Sequence, residues 1–219
     1  MRRFILFFLV IIGSHLKAQP SLKGGLASFV QNNKVYPRYS LANCIQGVVN
    51  VAFKLDRKGV VYYSEVRKGI GTDLDDEALR LIRMSSGRWI VPGDHDTALA
   101  IIVPINFSLS DCSGRSSQEL KAAIEAYKST TDLTNTVLNY YQILEQGGVT
   151  GITEAKALEL KSTLGIDDVD LQRRFDDGKR KLKQKDNQGA CEDFKFVKNM
   201  GSKLADEMLE KNCKKEDVK

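Results

Sequence analysis

Apolar and polar positions alternate most regularly over Val48–Asp56, where Val49, Val51, Phe53 and Leu55 interleave with Val48, Asn50, Ala52 and Lys54. Successive side chains of a strand point to opposite faces, so this segment is predicted as a strand with one buried face. Asp56-Arg57-Lys58-Gly59 follows as a short loop ending in a glycine that can take positive φ, and Val60–Arg67 returns as the second arm of a hairpin. The apolar spacing of that arm loses step between Tyr63 and Val66, which predicts a β-bulge there. Gly69-Ile70-Gly71 ends the arm, and Thr72 with Asp75 reads as a variant capping box. Leu74, Ala78, Leu81, Ile82 and Ser85 then share one face of a helix of about four turns, stopped by Gly87, with Trp89 and Pro92 in the connection beyond it.

Leu99–Leu109 is predicted as a third strand, with Leu99, Ile101, Val103, Ile105, Phe107 and Leu109 on one face. Pro104 in its middle cannot donate to a ladder, which places the strand at a sheet edge with the proline nitrogen outward. A right-handed crossover over the helix lands this strand beside the first one. The expected unit is therefore ββαβ, with sheet order 2-1-3 and the third strand antiparallel to the first. Backbone groups of alternate residues face the same side of a strand. If Pro104 faces outward, Ile102, Asn106 and Ser108 share that side and would offer hydrogen bonds to a guest strand. The competing reading is an edge covered by the chain itself.

From Ser110 the texture changes. Ser110–Ser117 is a polar linker, and helices follow. Leu120, Ala123, Ile124 and Tyr127 form one stripe; Leu133, Val137, Tyr141 and Leu144 form a second, closed by Gly147-Gly148. Thr153 caps a third helix with Ala157, Leu160 and Leu164 inward. Phe175, Gly178 and Leu182, a turn at Lys185–Gln188, then Ala190, Phe194 and Val197 fit two stacked helices that resemble a single tetratricopeptide repeat. Gly201-Ser202 then ends the second of these and caps another helix with Leu204, Met208 and Leu209.

The first half carries a more specific likeness. Tyr36-Pro37, Ile45-Gln46-Gly47-Val48-Val49-Asn50-Val51, Asp56-Arg57-Lys58-Gly59, Gly69-Ile70-Gly71, Leu74-Asp75, Ala78-Leu79, Trp89-Ile90-Val91-Pro92 and Pro104-Ile105-Asn106-Phe107 occur in an order and spacing that resembles the TonB C-terminal domain family. The resemblance runs over about residues 26–109. It implies a peptide-binding module whose guest is the short TonB box of an outer-membrane receptor, and it implies receptor contacts near Asn33 and Tyr36. The family in enteric bacteria has Gln-Pro two residues ahead of Tyr-Pro; here the equivalent residues are Asn33-Lys34. The overall expectation is an α+β chain, with a TonB-like ββαβ domain and then an all-α region. Residues 1–19 read as a signal peptide, 20–110 as the TonB-like domain, 111–117 as the linker and 118–219 as the helical domain.

The signal-peptide reading rests on Arg2 and Arg3 ahead of an apolar run, Phe4–Gly13, with Ala18 at the point of cleavage. That run is shorter than the roughly 20 residues of a spanning helix, so an uncleaved anchor is the weaker alternative. It places the protein in the periplasm or cell envelope. Loss of Arg2, Arg3 and Lys17 reduces the net charge from +5 to +2, which gives no ground for a nucleic-acid partner. The basic run Lys179–Lys185 reads as a solvated helix face. An oxidising compartment makes disulfides the better reading of Cys44, Cys112, Cys191 and Cys213. The 2-1-3 sheet brings Cys44 toward Cys112, and successive C-terminal helices folding back bring Cys191 toward Cys213.

Nothing in the sequence suggests catalysis, a metal, a cofactor or a small-molecule substrate. His95 sits alone on a polar loop and reads as solvated, and Asp73, Asp75, Asp76 and Glu77 suit the positive end of a helix dipole. Two functions remain. One is binding of a TonB-box-like strand from an outer-membrane transporter or other envelope protein. The other is a periplasmic adaptor that holds an assembly together without transducing energy. Pro20–Val35 would supply a spacer of about 16 residues, reaching at most about 55 Å if extended. The sequence leaves the oligomeric state open.

Overall fold

The computed structural model of the chain describes residues 19–112 and 115–213. The expected signal segment and the last six residues lie outside them, apart from Gln19. Five strands are described: β1 (Ser21–Leu22), β2 (Gly47–Leu55), β3 (Val61–Lys68), β4 (Trp89–Ile90) and β5 (Ile101–Phe107). Helices α1 (Leu26–Asn33), α2 (Arg38–Ala42) and α3 (Asp73–Met84) complete the first half. Helices α4 (Ser117–Glu145), α5 (Glu154–Thr163), α6 (Asp168–Lys183), α7 (Asn187–Asn199) and α8 (Asp206–Asn212) make the second.

The main sheet has the order β3-β2-β5, antiparallel throughout, as the handed crossover requires. Val49, Val51, Phe53 and Leu55 of β2 are fully buried against Leu74, Ala78, Leu81 and Ile82 of α3. Trp89 packs on Phe53 at 4.9 Å between ring centroids and donates its indole N–H to Ser85 Oγ at 2.7 Å. Gly59, at φ +77, lies against the Trp89 backbone, where a Cβ would come within 2.3 Å of the carbonyl oxygen. The hairpin loop needs glycine there for both reasons.

Several local expectations are corrected. The register shifts of the hairpin fall between Asn50 and Val51 and between Lys54 and Leu55, not between Tyr63 and Val66. What breaks the apolar pattern at that point is a polar residue on the core face, Ser64, which is buried and hydrogen-bonded. Asp75 does not close a capping box with Thr72. Its carboxylate accepts from the Ile70 and Gly71 amides and so orders the turn before the helix. The third strand starts at Ile101 rather than Leu99. An Asp96-centred turn takes the Leu99 and Ala98 amides, and Leu99 is left exposed. His95 Nε2 is buried without a hydrogen-bond partner, so His95 is not simply solvated. Residues expected to form an extended spacer instead fold onto the core. Leu26, Phe29 and Val30 of α1 pack against it, and β1 pairs with β4.

The two apolar stripes after the linker belong to one helix. α4 is 29 residues long, about 44 Å. Ser116 and Glu119 start it with a capping box. Its first turns lay Leu120, Ala123 and Ile124 on the β-domain core. Tyr127 stacks on Tyr39 at 5.0 Å, and the Tyr39 hydroxyl donates to the Ala123 carbonyl. Its far end packs Val137, Leu138 and Tyr141 against the other helices, while Leu133 and Leu144 remain exposed. Gly178 of α6 faces the Phe194 ring of α7, where a Cβ would approach within 2.6 Å, so this helix pair does stack small against large. Asp186 caps α7 through the Gly189 amide. The basic run of α6 is answered by acids: Lys179 by Asp176, Arg180 by Asp177, Lys181 by Asp193.

Both expected disulfides are present, Cys44–Cys112 and Cys191–Cys213, with Cα–Cα distances of 5.5 and 5.6 Å. They span separations of 68 and 22 residues. Constraint of the unfolded chain grows with loop length, so replacing the first pair by serines should cost about 4 kcal/mol and the second about 3 kcal/mol. Urea unfolding of the two double variants checks that order.

A pH dependence follows from the joint between halves. Burial first, then the carboxylates of Asp76, Asp73 and Asp75, push the Tyr127 hydroxyl up from its ordinary 10.0 to about 12. Between those values the unfolded chain releases a proton that the folded chain keeps, so stability falls as pH rises. Tyr127→Phe should flatten that alkaline slope, measured as unfolding free energy at stepped pH.

Candidate functional site: the two edges of the sheet

A three-stranded sheet has two edges, and each presents unpaired backbone donors and acceptors unless something covers it. The edges here are β5 and β3.

β5 alternates cleanly. Ile105 and Phe107 are buried, Ile101 and Val103 are half-buried, and Ile102, Pro104 and Asn106 are exposed. Its register against β2 sets Pro104 opposite Asn50, Ile102 opposite Ala52 and Ile101 opposite Phe53. Lys34 Nζ donates to the Asn106 carbonyl at 3.2 Å and lies 5.7 Å from the centroid of the Phe107 ring. A side chain can reach that carbonyl only on the side away from β2, so alternation puts the backbone groups of Ile102 and Pro104 on the same outward side. The missing N–H of Pro104 then costs the ladder nothing. Ser108 lies one residue past the end of β5 and is exposed. The next amide, Leu109, is taken by Gln46 Oε1 at 2.7 Å. Beyond it the Cys44–Cys112 bridge fixes the end of the edge.

Asn33 and Tyr36, the residues the resemblance put near a receptor, are engaged internally. Asn33 Nδ2 donates to the Phe29 carbonyl, and the Asn33 carbonyl accepts from Arg80. The Tyr36 hydroxyl donates to the Ile45 carbonyl at 2.6 Å, and its ring meets Phe107 edge-on at 6.0 Å. Burial, with Asp73 adding to it, raises the Tyr36 hydroxyl above its ordinary pKa and keeps it a donor. Tyr36 therefore supports the underside of β5.

The acidic cluster at the start of α3 is spread over separate tasks. Asp73 caps α2 through the Tyr39 and Ser40 amides. Glu77 accepts from the Val35 amide and pairs with Arg80. These bonds lock α1, α2 and the Lys34–Val35 segment against α3, beside the β5 edge. Among the described residues no group of His, Cys, Asp and Glu is placed to hold a metal ion, and no helix is long and apolar enough to cross a membrane.

The β3 edge is covered, which the sequence pattern did not suggest. Gln188 of α7 pairs its side-chain amide with the backbone of Ser64 as a neighbouring strand would. Oε1 accepts from the Ser64 amide at 2.9 Å, and Nε2 donates to the Ser64 carbonyl at 2.8 Å. Arg83, buried on α3, donates to Ser64 Oγ and makes a two-pronged pair with Glu192 of α7 at 2.8 Å on each prong. A glutamine opening a helix carries no signal of a partner 124 residues away in the chain.

In the comparisons with known proteins, no curated protein and no solved structure matches the chain. The family model of the Gram-negative bacterial TonB protein C-terminal matches residues 32–109. That span covers α2, β2, β3, α3, β4 and β5 and stops before α4. Residues 32–109 are accordingly similar to the C-terminal domain of Gram-negative bacterial TonB proteins, and the same chain carries a helical region over residues 117–212.

Proposed function

We propose that this is a periplasmic TonB-like protein whose β5 edge accepts a short strand, of the TonB-box kind, from an outer-membrane transporter, and so contributes to TonB-dependent transport across the envelope. The observation that carries the reading is the asymmetry of the sheet among the described residues: one edge is occupied by Gln188, and the other meets Lys34 at its end. A guest laid along β5 would pair with the outward groups of Ile102, Asn106 and Ser108. Lys34 would exchange the Asn106 carbonyl for the guest. The apolar leader, Phe4–Gly13, is the ground for an exported protein.

A second reading is an adaptor that uses its helical region, with a tetratricopeptide-like pair in α6 and α7, to hold envelope proteins together. The close stacking of Gly178 on Phe194 favours it.

Edge binding draws mainly on main-chain hydrogen bonds, each worth about 0.5–1.5 kcal/mol net. Ile102→Pro removes an outward donor from an exposed position and should weaken binding several-fold with the fold intact. Ile101→Pro breaks pairing opposite Phe53 and should damage the domain itself. Titration with TonB-box peptides from receptors of the same organism, alongside thermal melts, separates the two. Wild-type binding by Ile102→Pro would remove β5 as the acceptor and leave the adaptor reading.

A further inference from the structure

The helical region is joined to the sheet domain in two different ways. At its start α4 is packed by apolar contacts, through Leu120, Ala123 and Ile124, next to the Cys44–Cys112 bridge. At α7 the joint is polar. Ser64, Gln188, Glu192 and Arg83 form a closed ring of hydrogen bonds, with Gln188 Nε2 also donating to Glu192 at 3.2 Å. Behind the ring the seam opens into a cleft of about 310 Å³ lined by charged side chains, among them Asp76, Arg174, Lys181 and Asp193. A polar, ionic seam open to a cleft separates more readily than an apolar one, because water can replace the lost bonds.

Between the two joints lies an exposed stretch of α4, from which the Lys128 side chain leans toward Gly71. Residues Lys128–Leu133 are all exposed. The hydroxyls of Ser129, Thr130, Thr131, Thr134 and Thr136 each donate back to the carbonyl four residues earlier. Such back-bonding weakens and bends a helix, and serine and threonine are poor helix formers. One firm joint, one flexible span and one polar joint make a hinge with a latch.

Under the latch is a strand edge. The register of β3 against β2 is regular over residues 63–66 and shifts on both sides of that stretch. The shifts blunt the ends of the edge, and Gln188 blocks the straight middle. We propose that α7 is an autoinhibitory latch over a second strand-accepting edge, and that the occupant it excludes is β3 of a second copy of this chain. The stretch is self-complementary. An antiparallel pairing centred on Ser64 lets the two Ser64 residues exchange N–H and C=O bonds, as Ser64 now does with Gln188. It also sets Tyr63 opposite Glu65 of the second copy. Tyr63 already donates its hydroxyl to Glu65 within one chain at 2.6 Å, so the two side chains share a face. Lys54, 5.4 Å from the centroid of the Tyr63 ring, adds a cation beside that pair. This inference goes beyond guest binding at β5 and does not depend on it.

The test uses the full chain. Wild type should sediment as a monomer, whereas the Gln188→Ala/Glu192→Ala variant should form dimers with increasing concentration. Adding Tyr63→Glu should return it to monomer, because it sets a second carboxylate against Glu65 of the second copy. A folded latch variant that stays monomeric overturns the proposal, as does a dimer indifferent to Tyr63→Glu. Hydrogen exchange on the wild type gives a reading that needs no variant. Latch opening should expose the Ser64 amide at least about tenfold faster than the Val51 amide in the sheet centre. Exchange of both at one common rate would mean that the edge opens only on global unfolding, and the latch would fall.

Discussion

Burial of β2 between its two neighbours is the constraint on which the rest of the molecule depends. Val49, Val51, Phe53 and Leu55 have no exposed surface, and β3 and β5 take the hydrogen bonds on either side. A slip of one residue would turn all four to the opposite face, so the register is fixed by the core. From that register follow the placement of Pro104 opposite Asn50, the outward turn of Ile102 and Asn106, and the approach of Cys44 to Cys112. The central strand thereby decides which backbone groups are left for partners.

The sheet is too small to hide its own edges. Larger sheets cover their edges with helices or loops or close into barrels; three strands in the order β3-β2-β5 leave two of six strand sides without a ladder partner. This chain treats its two edges differently. Among the described residues β5 is flanked by a short segment locked through Glu77, Asp73 and Arg80, and it meets Lys34 at its end. β3 is capped from a helix far along the chain, by a glutamine that supplies both a donor and an acceptor. The burial of Arg83 depends on the same helix, since Glu192 answers its charge. Edge coverage and domain docking are therefore one physical problem in this protein.

The places where sequence reading missed are instructive. A buried serine in β3 looked like a bulge because apolar periodicity treats every polar residue as outward, although Ser64 is paid its hydrogen bonds by α3 and α7. Asp75 looked like half of a capping box because spacing cannot tell whether a carboxylate turns to the cap residue or to the two amides before it. The segment before Tyr36 looked like a spacer because its apolar residues, Leu26, Phe29 and Val30, are few and its helix has eight residues. A helix that short gains its stability from packing, which propensity does not contain.

Local periodicity, turn chemistry and chain handedness were enough to determine the ββαβ unit, its strand order, the outward Pro104 and both disulfide pairings. Each of these follows from rules that act within a few residues or on a single crossover. The order and spacing of its short motifs also carried the TonB family likeness of the first half. Tertiary structure alone decided that two stripes form one long helix, that Gln188 closes the β3 edge and that Arg83 finds Glu192. The last two depend on contacts between residues more than a hundred positions apart, made by polar side chains whose pairing is set by where two folded surfaces meet.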